Sequence, residues 1–408
     1  MNKVDTLIIN IGQLVYFKEP IRKIDSNNTV ILENAGIAIK NGKILDVGKS
    51  EYIKSKFMSE NIIDAKNCLV TPGLVDMHTH ALFDGSREDE LEKKLSGIDY
   101  SEILKSGGGI FKTVEKTRKS SLEYLIEKLE KVLSKALYLG TTTIEVKSGY
   151  GLDFENEMKL LKVINILKEK YDVIPTLLAH IFPKESSKES YIDMFINQLL
   201  PNVARYNFAK YVDVFCDEGA FNLEQTKLIF KEALKYGFKL RMHADQLKYI
   251  GCSRLLNEFP IGSLDHLESS PPENLEMIAK SNASAGLLPA SMLAMLDDKK
   301  PRVEYLKNKA IISLGTDYSP NSPMISMQTV LDLSIYYLHF RPIEALAYST
   351  INSAYSLGLN DVGTIKVGGR ADLIIWDLEN INQLGYYWGY DRIKTLIYKG
   401  KIIRTQDN

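Results

Sequence analysis

Between Leu74 and Leu314 the chain alternates between short strand-like runs and helical stretches, and no other feature constrains its fold as strongly. The strand-like runs are Leu74-Val75, Thr141 to Val146, Val173 to Leu178, Tyr211 to Phe215, Lys239 to Met242, Gly262 to Asp265, Ala283 to Leu288 and Ile311 to Leu314. Between the first two, Leu122 to Leu139 carries apolar residues at helical spacing and stops at Gly140. Strands alternating with helices imply a parallel sheet, and eight of them over roughly 250 to 300 residues imply a (β/α)8 barrel of TIM type.

The two chain ends read differently. Thr6 to Asn10, Val30 to Glu33, Gly36 to Lys40, Lys43 to Val47 and Cys68 to Val70 are short strands, with Asn41-Gly42 as a hairpin turn. After the barrel the pattern returns to β at Gly363 to Gly368, Asp372 to Trp376 and Lys394 to Tyr398. Residues 1–70 and 363–408 are therefore expected to form one composite β-sandwich around a barrel spanning 71–362. A helical run from Val330 to Phe340 holds His339, read as structural.

Barrels of this kind place their chemistry at the C-terminal ends of the strands. His80 stands at the first strand end, Lys147 and Tyr150 after the second, His180 after the third, Cys216 and Glu218 after the fourth, His243 and His266 at the fifth and sixth, and Asp317 after the eighth. His78 and His80 are two apart, so in extended backbone both imidazoles face one side. With His243 and Asp317 they make a four-ligand set for one divalent ion, leaving room for a water. A pair of ions bridged by a carboxylated lysine is the competing arrangement. It needs its lysine on the fourth strand, whereas Lys147 ends the second.

Bulk properties narrow the class. The chain carries 51 basic and 52 acidic residues, a balance that argues against a nucleic-acid footprint or a polybasic membrane surface. No apolar run is long enough to span a bilayer. Cys68, Cys216 and Cys252 are too few and scattered for a disulfide framework, so Cys216 and Cys252 read as small buried hydrophobes in a cytoplasmic protein. Ser106-Gly107-Gly108-Gly109-Ile110 lacks the lysine of a phosphate-binding loop and reads as a mobile loop over a site.

The motifs resemble the amidohydrolase superfamily and, within it, the imidazolonepropionase family. The similarity rests on Pro72-Gly73-Leu74-Val75-Asp76 with His78 and His80, Gly85-Ser86-Arg87-Glu88, Gly107-Gly108-Gly109-Ile110, Glu145 to Leu152, His243-Ala244-Asp245-Gln246, Asp265-His266-Leu267, Gly315-Thr316-Asp317 and Ala371-Asp372-Leu373. The His-x-His segment is shared across the superfamily, while Gly-Ser-Arg-Glu and Lys-Ser-Gly-Tyr-Gly are specific to this branch. The resemblance implies a homodimer with one zinc or iron ion on His78, His80, His243 and Asp317. It implies that Arg87, Tyr150 and His180 hold the substrate, with Gln246, Ser319, Asn321 and Ser322 also facing it. Asp317 is expected to carry the proton and His266 to orient the water or stabilise the oxyanion.

The implied reaction is hydrolysis of the ring amide of 4-imidazolone-5-propanoate to N-formimidoyl-L-glutamate. A different cyclic amidohydrolase or a deaminase, or a catalytically silent binding protein of this fold, are the rival readings. Two departures bear on the choice. Gln246 stands where the family can carry Glu, and Asp317-Tyr318-Ser319-Pro320-Asn321 replaces the family's Asp-x-Asn-Pro-Gly.

Overall fold

The computed structural model describes residues 1–98, 108–296 and 298–406. Eight strands run parallel in chain order, each paired with the next: β1 (Leu74–Asp76), β2 (Thr141–Lys147), β3 (Val173–Ala179), β4 (Tyr211–Cys216), β5 (Lys239–Ala244), β6 (Ile261–His266), β7 (Ser284–Leu287) and β8 (Ile311–Leu314). They are largely buried on both faces, β2 and β3 along their whole length, which is why their sequences do not alternate between apolar and exposed polar residues. The helix Leu122–Tyr138 packs Leu125, Leu129, Leu133 and Ala136 inward, and the Ser121 hydroxyl accepts from the Tyr124 N–H to cap it.

The barrel is drawn together between its first and last strands by residues just beyond their ends. The Asp317 N–H donates to the His78 carbonyl at 3.0 Å and the His80 N–H to the Tyr318 carbonyl at 2.9 Å. The same three residues, His78, His80 and Asp317, are candidate metal ligands, so closing the barrel sets their relative positions.

Strands from both chain ends share one mixed sheet, ordered Lys401–Thr405, Ile393–Tyr398, Leu373–Trp376, Leu69–Pro72, Thr6–Phe17, Thr29–Lys40 and Lys43–Lys49, with Ile62–Asp64 beside Thr6–Phe17. Ile8, Ile11, Leu14, Ile37, Val70, Leu373 and Ile375 form its separate core. Leu69–Pro72 belongs to this sheet and leads directly into β1.

Several elements depart from expectation. Thr6–Phe17 continues past Asn10, and Thr29–Lys40 is one strand rather than two. Asn10 and Asn34 have positive φ, 53° and 51°, and the register shifts between Ile8 and Ile11. Residues that signal turns locally here form bulges inside long strands. Gly363 to Gly368 is not a strand but a series of turns tied to the sheet by the Gly368 N–H, which donates to the Ile44 carbonyl at 2.8 Å. The last long helix spans Met327–Tyr336, and His339 lies exposed beyond it. Of the triple-glycine segment, Ser106 and Gly107 lie outside the described residues.

Cys216 and Cys252 are not free thiols: they form a disulfide between the end of β4 and the turn following β5. Their separation of 36 residues hid the pairing, because proximity across the barrel arises only once β4 and β5 are neighbours.

Candidate metal centre and active site

His78 and His80 leave the end of β1, His243 lies on β5, and Asp317 follows β8. Their ligand atoms converge. His80 Nε2 lies 3.4 Å from His78 Nε2 and 3.1 Å from His243 Nε2, and Asp317 Oδ1 lies 3.5 Å from His78 Nε2 and 3.3 Å from His80 Nε2. Atoms bound about 2.0–2.1 Å from a tetrahedral ion stand about 3.3–3.4 Å apart, so this spacing fits a single divalent cation. Burial and neighbouring cationic groups keep His78 and His80 well below the usual histidine range, as neutral imidazoles with lone pairs to offer.

Beneath the ligands lies a layer of buried charge. Asp265 Oδ2 accepts from His78 Nδ1 at 2.7 Å and from Arg241 at 3.0 Å, while Asp213 Oδ1 accepts from His243 Nδ1 at 3.0 Å. Each carboxylate therefore fixes the proton on Nδ1 and turns Nε2 toward the centre. A side chain at Gly286 would collide with the Asp265 carboxylate, so the neighbouring strand must carry glycine there. Asp76 accepts the Thr316 N–H at 3.0 Å and hydroxyl at 2.6 Å, steadying the turn that presents Asp317. Burial raises the Asp76 carboxyl to about 7.

Lys147 is wholly buried, 2.8 Å from Glu145 and 2.8 Å from Asp213. Burial opposes its charge, but the two carboxylates outweigh burial and raise the amine above its usual value. Lys147 is held between these two carboxylates at the end of β2.

A cavity of about 90 Å³ stands over the ligands. Arg87, Tyr150, His180, Gln246, Ser319 and Asn321 all reach it, as does His266. Ser322 is buried but outside its lining; its N–H donates to the Ser319 hydroxyl at 3.3 Å, supporting the turn. His180 stacks on His80 with centroids 5.0 Å apart, and its Nδ1 lies 3.1 Å from the Gly149 carbonyl. Burial and the nearby His243 lower His180 to about 3, leaving it neutral. Arg87 is bound to Glu90 through Nε at 2.8 Å and a terminal nitrogen at 2.7 Å.

His266 lies close enough to His78 and Asp317 for their ligand atoms to fall within 4.8 Å of one another. Burial disfavours its cation, yet Glu268, 3.4 Å away, and more distant acids hold it up at about 9. His266 and Asp317 have φ of 83° and 49°, a left-handed conformation that costs energy for such residues and here aims both side chains at the cavity.

Asp213, Asp265, Glu145 and Arg241 went unrecognised in the sequence. A signal existed: Glu145 and Lys147, Arg241 and His243, and Asp76 and His78 are charged or polar pairs two apart, the period of inward-facing strand positions. Phe215, Ser291 and Met295 also line the cavity without a comparable signal. Glu218 makes an exposed ion pair with Lys248, away from the ligands.

The amidohydrolase family model matches residues 69–403. The chain belongs to the amidohydrolase family. The imidazolonepropionase of Pyrobaculum arsenaticum is 45% identical over 93% of this chain and 94% of its own length, and that of Caldanaerobacter subterraneus subsp. tengcongensis is 39% identical over 97% of each. A zinc-bound adenosine deaminase from Xanthomonas campestris superposes with a TM-score of 0.74 at 19% identity, covering 99% of this chain and 94% of that one, a likeness of fold.

Proposed function

We propose that this protein is a metal-dependent cyclic amide hydrolase that opens 4-imidazolone-5-propanoate to N-formimidoyl-L-glutamate. The observation that carries this reading is the meeting, over one small cavity, of a converging His78, His80, His243 and Asp317 set with a guanidinium, a phenol and an imidazole. Full-length similarity to imidazolonepropionases supports the substrate.

A divalent cation held by those four residues, zinc or iron, would supply Lewis acidity and lower the pKa of a bound water. Asp317 accepts the proton of the attacking water and returns it to the ring nitrogen as the amide C–N bond breaks. His266, oriented by Glu268, donates a hydrogen bond to the oxygen that gains charge. Arg87 pairs with the propionate, its orientation fixed by Glu90. Tyr150, His180 and Gln246 hold the polar edge of the ring, with Ser319, Asn321 and Ser322 shaping the facing turn. Gln246 cannot act as a base and serves as a hydrogen-bonding contact.

The expected division into 71–362 and 1–70 with 363–408 moves by two residues, because Thr71 and Pro72 pair within the small sheet; among the described residues the barrel carries the site and the chain ends support it. The resemblance supports a homodimer working in the cytoplasm. Among the described residues no helix is long and apolar enough to cross a membrane.

Product analysis tests the reading. Metal-loaded protein should consume freshly generated imidazolone propionate and yield N-formimidoyl-glutamate without free ammonia. Ammonia release from a ring amidine, with imidazolone propionate untouched, would make the protein a deaminase instead.

A further inference from the structure

The cavity over the ligands measures about 90 Å³, whereas small-molecule sites usually span ~300 Å³ or more. A second cavity of about 450 Å³ lies beside it and shares two of its residues, Arg87 and Asn321. Its wall is largely apolar, from Phe83, Leu91, Val132, Leu296 and Pro323, with Lys94 and Lys128 among its polar groups.

The charges around this outer cavity are unequal. Arg87 faces Glu90, and Lys128 faces Asp84 at 2.6 Å. Glu88 is exposed to solvent. Among the described residues Lys94 differs, because its hydrogen-bond acceptors are neutral: the Asn321 side-chain oxygen at 2.7 Å and the Ala294 carbonyl at 3.2 Å. Lys94 lies seven residues after Arg87, two helical turns along the helix Glu88–Leu95, so both cations fall on one face. Through Asn321 and Ala294 it ties that helix to the turn after β8 and to the segment after β7.

Asn321 matters to this arrangement. The family motif carries glycine here, which could offer Lys94 no side-chain acceptor. In this chain the Asn321 amide stands where the two cavities meet, its nitrogen 3.4 Å from Met295 Sδ.

We propose that the outer cavity is the subsite for the carboxylate-bearing arm of the substrate, and that Lys94 is a second, specificity-determining cation that receives the carboxylate together with Arg87. This rests on the substrate class proposed above and adds a residue and a chamber to it. The ring would occupy the inner cavity while the arm runs beside Asn321 and brings its carboxylate between Arg87 and Lys94. A carboxylate reaching Lys94 replaces a neutral acceptor by an anion, the stronger kind of hydrogen bond. Burial and the neighbouring Arg87 guanidinium lower the amine below its usual value, against a smaller opposite pull from Glu90, and an arriving anion relieves that penalty.

The test compares Lys94→Met and Lys94→Arg with wild type on imidazolone propionate and on its propionamide counterpart, whose arm is neutral. Lys94→Met should raise KM for the carboxylate substrate about 10- to 100-fold, with the effect on KM rather than kcat. KM for the propionamide should hold, and Lys94→Arg should recover most of the loss. Binding of unreactive imidazole propionate, against 4-ethylimidazole as the neutral probe, gives the same comparison without turnover. A Lys94→Met enzyme with unchanged KM, or with KM raised equally for both arms, overturns the assignment of Lys94. Wild-type protein that neither binds nor turns over the carboxylate compounds overturns the substrate reading itself, and this inference with it.

Discussion

The floor and the rim of the site are built in opposite ways. On the floor, His78, His80 and His243 are buried, two of them braced by carboxylates that are themselves paired with Arg241 or Lys147. On the rim, Arg87, Gln246, Ser319 and Asn321 sit on turns and helix ends, and this is where the chain leaves its family's motif. Ligand geometry within a few tenths of an ångström decides whether an ion is held at all, so the floor has little freedom to change. The rim decides which ring and which arm are accepted. Reaction type is therefore written in the floor and substrate identity in the rim.

Substitutions can break that division. Asp317 belongs to both the ligand set and the proton path, so Asp317→Asn should lower kcat about 10²- to 10⁴-fold, measured with the metal site saturated. Asp213→Asn leaves every proposed ligand in place but weakens the brace on His243. Its expected effect is a metal affinity lower by about 10- to 100-fold in a chelator competition. If that variant binds metal normally yet changes substrate preference, floor and rim are not separable. Arg87→Lys keeps a charge opposite Glu90 and loses the planar fork, so KM for the carboxylate substrate should rise about 10-fold, with metal affinity unchanged.

The smallest effect is on stability. Asp84, beside the rim, accepts from Lys128 at 2.6 Å and from the Ser120 hydroxyl at 2.8 Å. Burial opposes the shift, but these bonds bring its carboxyl down to about 2. A carboxyl lowered on folding adds stability that is present above its ordinary value near 4 and lost as pH falls through 2. Asp84→Asn should therefore cost about 1 kcal/mol in denaturant unfolding at neutral pH, discounted for partial exposure. The gap from wild type should close as pH drops from 4 to 2.

How much of this was legible in the sequence follows the same division. Barrel strands announced themselves because burial on both faces leaves short runs without exposed polar positions between helical stretches, and histidines at their ends marked the ligands. The brace was hidden because Asp213 meets His243 across neighbouring strands and Asp265 meets His78 across the barrel, relations no local window contains. Lys147 could be placed by counting strands, yet its partner Asp213 lies on β4, 66 residues away. The Cys216–Cys252 bridge was misread for the same reason. In the small sheet the errors were local: Asn10 and Asn34 look like turns and are bulges. On the rim, Asn321 was visible as a departure, but its tie to Lys94 required the helix and the turn after β8 to be brought together.

The most direct test of the central claim is a metal titration of the metal-free enzyme, following hydrolysis of imidazolone propionate. One ion on His78, His80, His243 and Asp317 predicts activity that rises linearly and levels at one equivalent, with the breakpoint lost in Asp317→Asn. A breakpoint at two equivalents, or full turnover by metal-free protein, would contradict it.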